Sequence, residues 1–248
     1  MPEYRAPRSD LARQAFLETA AKTGQEDIDA GNNYIAQSLV DDIKGFLPGF
    51  DTKVEAVTAT LSGREKEVRE KNEAVENLIT YVHDLWEVLK RRVNRKKEPA
   101  EVHTYYQLPL DGNNPSPNSD KEWLTMAENV AEGDATAVAA GFDAMLNPSA
   151  EELNAVLQAT QKEVDEVAPA DREYDEAQEG TAALRPRADE LIQEVMDELR
   201  FTLRKKDDPS QRRIMRTYGA TFTFLPGEPE DEEPGGNGGE PPAEPPVE

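Results

Sequence analysis

Phe50, Val54, Val57 and Leu61, followed by Val68, Val75, Leu78, Val82, Leu85 and Leu89, decide how this chain folds. The steps alternate between three and four, with Arg64 and Lys71 in the two longer gaps. That is the period of an α-helix buried along one stripe. Pro48 and Gly49 mark a start. Lys90, Arg91, Arg92, Arg95, Lys96 and Lys97 crowd the other end, where cations suit the helix dipole, and Pro99 stops the run. A long helix over 49–97 is expected.

The pattern recurs over 149–206. Its seam reads Leu153, Leu157, Thr160, Val164, Val167, Tyr174, Thr181, Ala188, Leu191, Val195 and Leu199. Ser149 caps it, with Glu151 and Glu152 in the first turn. Arg204, Lys205 and Lys206 close it before Pro209. Pro169 and Pro186 fall between seam positions, so they face outward. Each removes a backbone bond at about 3 kcal/mol. Kinks are expected there, or a break near Pro169 with a new helix from Ala170.

The two stretches correspond beyond their period. Glu76 to Asp84 lies over Asp189 to Asp197. Each then passes through a basic cluster, a proline and an extended aromatic segment, over 102–109 and 217–224. Gly45-Phe46-Leu47-Pro48 precedes the first long helix, and Gly141 to Pro148 precedes the second. This order reads as an internal duplication. Shorter helical material leads each half. Leu11, Ala15, Ile28, Ile35, Leu39 and Ile43 supply a face over 9–46, with Gly24 and Gly31 as interruptions. Over 119–142 there are two helices, Asp120 to Glu132 and Asp134 to Phe142, with Trp123, Met126, Val130 and Val138 inward.

The organisation that follows is a first half over 1–110, a turn-rich linker over 111–118, a second half over 119–225 and an acidic tail over 226–248. The tail is almost all Pro, Gly and acid, so nothing there offsets the entropy of ordering, and disorder is expected. The fold class is all-α: an elongated, antiparallel, coiled-coil-like bundle of four principal helices, built from two duplicated helical hairpins. Thr217 to Phe224 alternates like a strand, and Val102 to Leu108 is its expected mate in a small two-stranded patch at one end of the bundle.

Composition supports a narrow seam over a thick core, with 37% hydrophobic, 6% aromatic and 32% charged residues in 248. The formal net charge is −23, from 51 Asp and Glu against 28 Lys and Arg, which disfavours nucleic acid and anionic membrane surfaces as partners. The absence of cysteine excludes disulfides and thiolate metal sites. Met1 to Asp10 has no apolar signal core, and no stretch reaches the roughly 20 apolar residues of a membrane span. A cytoplasmic location is expected, with signal-free export as the alternative.

Chemistry-bearing motifs are sparse. Neither His83 nor His103 has a glutamate three residues before it, so the di-iron carboxylate pattern is missing. His83 is expected beside the core seam. Asp111, Asn113, Ser119 and Glu122 stand at first, third, ninth and twelfth places of a calcium loop. Pro115 and Ser116, however, occupy its fifth and sixth, where an oxygen ligand and a glycine are needed. The pairs Asp41-Asp42, Glu151-Glu152 and Asp207-Asp208 read as solvated surface. No catalytic, cofactor-binding or metal-ligating residues are assigned. The basic clusters read first as dipole compensation, and second as a positive end for an acidic partner or for the acidic tail of a neighbouring chain.

The expected function is therefore a non-enzymatic structural or interaction protein, a scaffold or assembly subunit. It would associate with itself or with a protein partner that the sequence leaves unidentified. The alternatives are a small-ligand or calcium-binding bundle and, behind that, a helical pore-forming protein.

Overall fold

The computed structural model describes residues 2–224; the acidic tail expected over 226–248 lies outside them. Among the described residues the chain is predominantly helical. In order, the elements are β1 (Glu3–Arg5), α1 (Asp10–Asp29), α2 (Gln37–Asn94), a 3-10 helix (Ala100–Tyr106), α3 (Asp120–Ala139), α4 (Ala150–Ala182), α5 (Arg185–Leu203), α6 (Asp208–Thr217) and β2 (Thr221–Thr223). They fall into two compact units. One takes the residues up to Ala56 and those from Gln178 onward; the other is the continuous stretch Val57–Ala177. The units thus cut across the sequential halves, since each draws on both long helical stretches.

In the first unit, Phe16, Leu17 and Ala20 of α1 meet Ile43, Leu47, Phe50 and Val54 of α2 and Leu191, Val195, Leu199 and Leu203 of α5. Each such side chain contributes about 1.5 to 3 kcal/mol when fully buried. Ser9 caps α1 by accepting from the Ala12 N–H. Asp10 then accepts from Nε and Nη2 of Arg185, each at 2.8 Å. Met215 and Tyr218 close the core from α6. The chain turns at Gly219, whose φ of 93° a side chain would strain, and enters β2. β2 pairs antiparallel with β1, Tyr4 opposite Phe222.

In the second unit, Leu78, Val82, Leu85, Trp86 and Leu89 of α2 pack with Val102, Tyr106, Trp123, Ala127, Val130 and Leu153. Ser119 caps α3 by accepting from the Glu122 N–H. Towards the boundary the core thins to a pair of helices. There Val57, Leu61 and Val68 of α2 and Val164, Val167 and Tyr174 of α4 are only half-buried. Arg64 pairs with Asp171, and Thr160 donates its hydroxyl to the Ala74 carbonyl at 3.2 Å. Residues rising along α2 meet residues falling along α4, so the two run antiparallel.

Several expectations change. The helix expected from 49 begins at Gln37 and runs through Pro48. Pro48 is exposed, as is Lys44, whose carbonyl would have taken the missing N–H, so solvent satisfies the gap while Leu47 and Phe50 stay buried. The break expected near Pro169 is absent, because α4 passes straight through that exposed residue. The break comes at Ala183 and Leu184 instead. Pro186 then lies in the first turn of α5, where no intrahelical N–H bond is required. The two short helices of 119–142 are one helix, because Gly133 continues it. Most of the segment expected to be extended over 102–109 belongs to the 3-10 helix Ala100–Tyr106, so β2 finds its mate at the N-terminus in β1. Leu11, Ala15 and Val138, expected inward, are exposed, with Phe16 and Leu17 taking the inward places on α1. No helix among the described residues is long and apolar enough to cross a membrane.

Replacing Pro48 by Ala restores an N–H to α2 without disturbing the core. The expected gain is about 1 to 3 kcal/mol, worth about 2 to 4 °C of melting temperature per kcal/mol in a chain of this size. A lowered melting temperature for Pro48→Ala would contradict the outward placement.

Candidate functional site

The most concentrated buried polar chemistry lies in the second unit, where the chain returns after α2. The Tyr106 hydroxyl donates to Asp134 Oδ1 at 2.7 Å, and the Met145 N–H donates to the same oxygen at 2.8 Å. Asp134 is only 9% exposed, in the interior of α3. Burial, then the hydrogen bond to Asp134, then its charge push the Tyr106 phenol well above its usual range. The Trp86 Nε1–H donates to the Tyr106 carbonyl at 2.8 Å. Gly133 admits the approach, since a Cβ there would run into the Tyr105 carbonyl oxygen. Next to Tyr106, Gln107 takes a left-handed turn with φ 59°.

The first unit holds a similar pair. The Tyr218 hydroxyl donates to Asp27 Oδ2 at 2.7 Å, and burial followed by Asp27 raises that phenol too. Beside it, Thr23 donates its hydroxyl to the Thr217 carbonyl at 2.8 Å.

The residues weighed in the sequence are not gathered around either pair. Asp111 accepts from the Asn113 backbone and side-chain nitrogens, a local turn. Ser119 Oγ accepts from the Glu122 N–H at 3.3 Å and Glu122 Oε2 accepts from the Asn118 N–H at 2.7 Å, both at the start of α3. Their oxygens therefore serve the chain and do not converge. His83 stands between Trp86 and Trp123, with ring centroids at 5.6 and 5.4 Å. His103 is 4% exposed, and neither ring nitrogen has a hydrogen-bond partner among the described residues. Glu67, Glu163 and Glu166 bring carboxylate oxygens within 4.8 Å of one another, but Lys66 and Lys162 already pair with them.

The basic clusters divide by role. Arg92 donates to the carbonyls of Asp143 and Ala144 at 2.8 and 2.7 Å. Arg204 lies over the Phe201 ring at 4.0 Å. The side chains of Arg95, Lys96, Lys97, Lys205 and Lys206 have no hydrogen bond or ion pair among the described residues. Sequence reasoning placed these clusters. It missed the two tyrosine–aspartate pairs, because an aspartate inside a polar helix looks the same whether it faces water or a phenol.

Both pairs hold a segment to a helix. Comparison of the chain with protein-family models, with curated proteins and with solved structures finds no match.

Two expectations follow. A folded-state phenol pKa above its ordinary value of about 10 gives stability that is complete below that pH and is lost as pH rises beyond it. Tyr106→Phe should cost about 1 to 3 kcal/mol at neutral pH, and with Tyr218→Phe it should flatten the alkaline fall in melting temperature. An alkaline fall as steep in the double variant as in the parent would count against the pairs. His103→Met removes two buried, unpartnered nitrogens, and should raise stability by about 1 kcal/mol in thermal unfolding.

Proposed function

We propose that this chain is a non-enzymatic assembly or scaffold protein. It is built by duplication as four principal helices paired antiparallel, and it acts by presenting rigid surfaces to other chains. Several matched details support the duplication. α1 and α3 each span 20 residues behind a serine cap and end in an alanine followed by a left-handed glycine, Gly31 and Gly141. Asp10 meets Arg185, and Asp120 meets Lys71 at 2.7 Å. The Leu108 N–H reaches the His103 carbonyl, and the Ala220 N–H reaches the Met215 carbonyl, each across a tyrosine and a left-handed residue. His103 and Met215 are then equivalent places, and methionine suits that place better.

The observation that carries the functional reading is the exposure of large apolar side chains on well-held elements. Phe201 is 67% exposed in the last turn of α5, beside the buried Leu199 and Leu203. Leu11, Leu110 and Leu146 are exposed to a similar degree. Exposed apolar groups on rigid backbone lose little entropy when covered. Meanwhile three of the five buried polar side chains among the described residues, Asp134, Thr160 and Thr181, are engaged in holding the fold.

Sedimentation of the full chain from low to high micromolar concentration tests this. The mass should rise above 27.6 kDa with concentration, and Phe201→Ser should reduce the rise without lowering the melting temperature. A strict monomer throughout would overturn self-assembly.

A further inference from the structure

The loop between α3 and α4, within the second unit, is fixed from both sides. Arg92 of α2 holds its Asp143 and Ala144 carbonyls, and Glu98 Oε1 accepts from the Asp143 N–H at 3.1 Å. The Met145 N–H is held by Asp134, and the Met145 side chain is 2% exposed. Leu146 bridges to Ser149 on the far side. Here the backbone is pinned through four consecutive residues, and Leu146 stays 79% exposed.

Leu146 shares a concavity of about 400 Å³ with Arg92, Lys97, Glu98, Asp143 and Ala144. Arg92 lies 3.7 Å from Glu98 and offsets its charge. Lys97 lines this concavity and Arg95 and Lys96 directly precede it in the chain; all three are exposed, and their side chains have no hydrogen bond or ion pair among the described residues. In a chain with 51 acidic residues, three adjacent cations without a partner are an exception. Dipole compensation accounts for cations in the last turn of a helix. It does not account for an apolar side chain held out beside them.

We propose that this surface docks an acidic peptide segment of a partner protein, with one apolar residue flanked by carboxylates. The apolar residue would cover Leu146, and the carboxylates would meet Lys97 and its two neighbours. The proposal rests on the reading of the chain as an interaction protein. The chain's own acidic run, Glu230 to Glu233, has no apolar residue within it, and Val247 has a carboxylate neighbour on one side only, with Pro246 on the other.

The probe is a fluorescently labelled peptide with the core Glu-Glu-Leu-Glu-Glu, titrated with the full chain at about 0.1 M salt, where charges beyond about 10 Å are screened. Saturable binding is expected, weakening about tenfold on raising the salt to about 0.5 M. Lys97→Glu and Leu146→Asp should each weaken it by about tenfold or more with the melting temperature unchanged, as both side chains are exposed. A Gln-for-Glu peptide and an Ala-for-Leu peptide should lose binding alike. No binding, or binding indifferent to both substitutions, overturns the proposal. Binding that emerges only after Glu230→Gln, Asp231→Asn, Glu232→Gln and Glu233→Gln are combined would assign the surface to the chain's own tail, and overturns it equally. The peptide assay reads Leu146 and Lys97, and sedimentation reads Phe201, so either reading can fail alone.

Discussion

A single helix of 58 residues carries two separate buried stripes, and each must be covered for the helix to persist. Ile43, Leu47, Phe50 and Val54 form one; Leu78, Val82, Leu85 and Leu89 form the other. Between them, Leu61 and Val68 are only half-covered by one facing helix. Helices of this composition draw their stability from packing more than from intrinsic propensity. The short helices α1 and α3, with α5 and the start of α4, are the covers that make the long helix stable.

Each cover is then locked by polar bonds at its ends. Serine caps at Ser9 and Ser119 satisfy the first turns, and the aspartates that follow receive a cation from another helix. At the opposite ends, a tyrosine hydroxyl reaches back to an aspartate. A buried carboxylate without such donors would cost several kcal/mol. Asp134, with a phenol and a backbone N–H on one oxygen, shows how that cost is met. The arrangement uses polar chemistry to fix position.

The prolines show how much of the fold was legible and where reading failed. Those of α2, α4 and α5 are visible in the sequence, and Pro186 and Pro169 are expected to disturb one helix. Only Pro186 coincides with a break, and there it stands in the first turn of α5, where no intrahelical N–H bond is required of it. Pro48 and Pro169 lie on exposed faces, and the helices continue. Exposure on this scale depends on which neighbour covers which face, and no local pattern encodes it. Leu11 and Phe16 make the same point. Both suit a buried face, and α5 settled which one is buried.

The sequence by itself determined the helical class, the two seams, the serine caps and the basic ends, because each depends on residues within a few turns of one another. Only the tertiary structure decided that β1 would pair with β2, that the segment after α2 would coil into a 3-10 helix, and that Asp134 and Asp27 would face phenols. Those outcomes join residues far apart in the chain. Their energies come from desolvation and from groups brought together by packing, which periodicity cannot register.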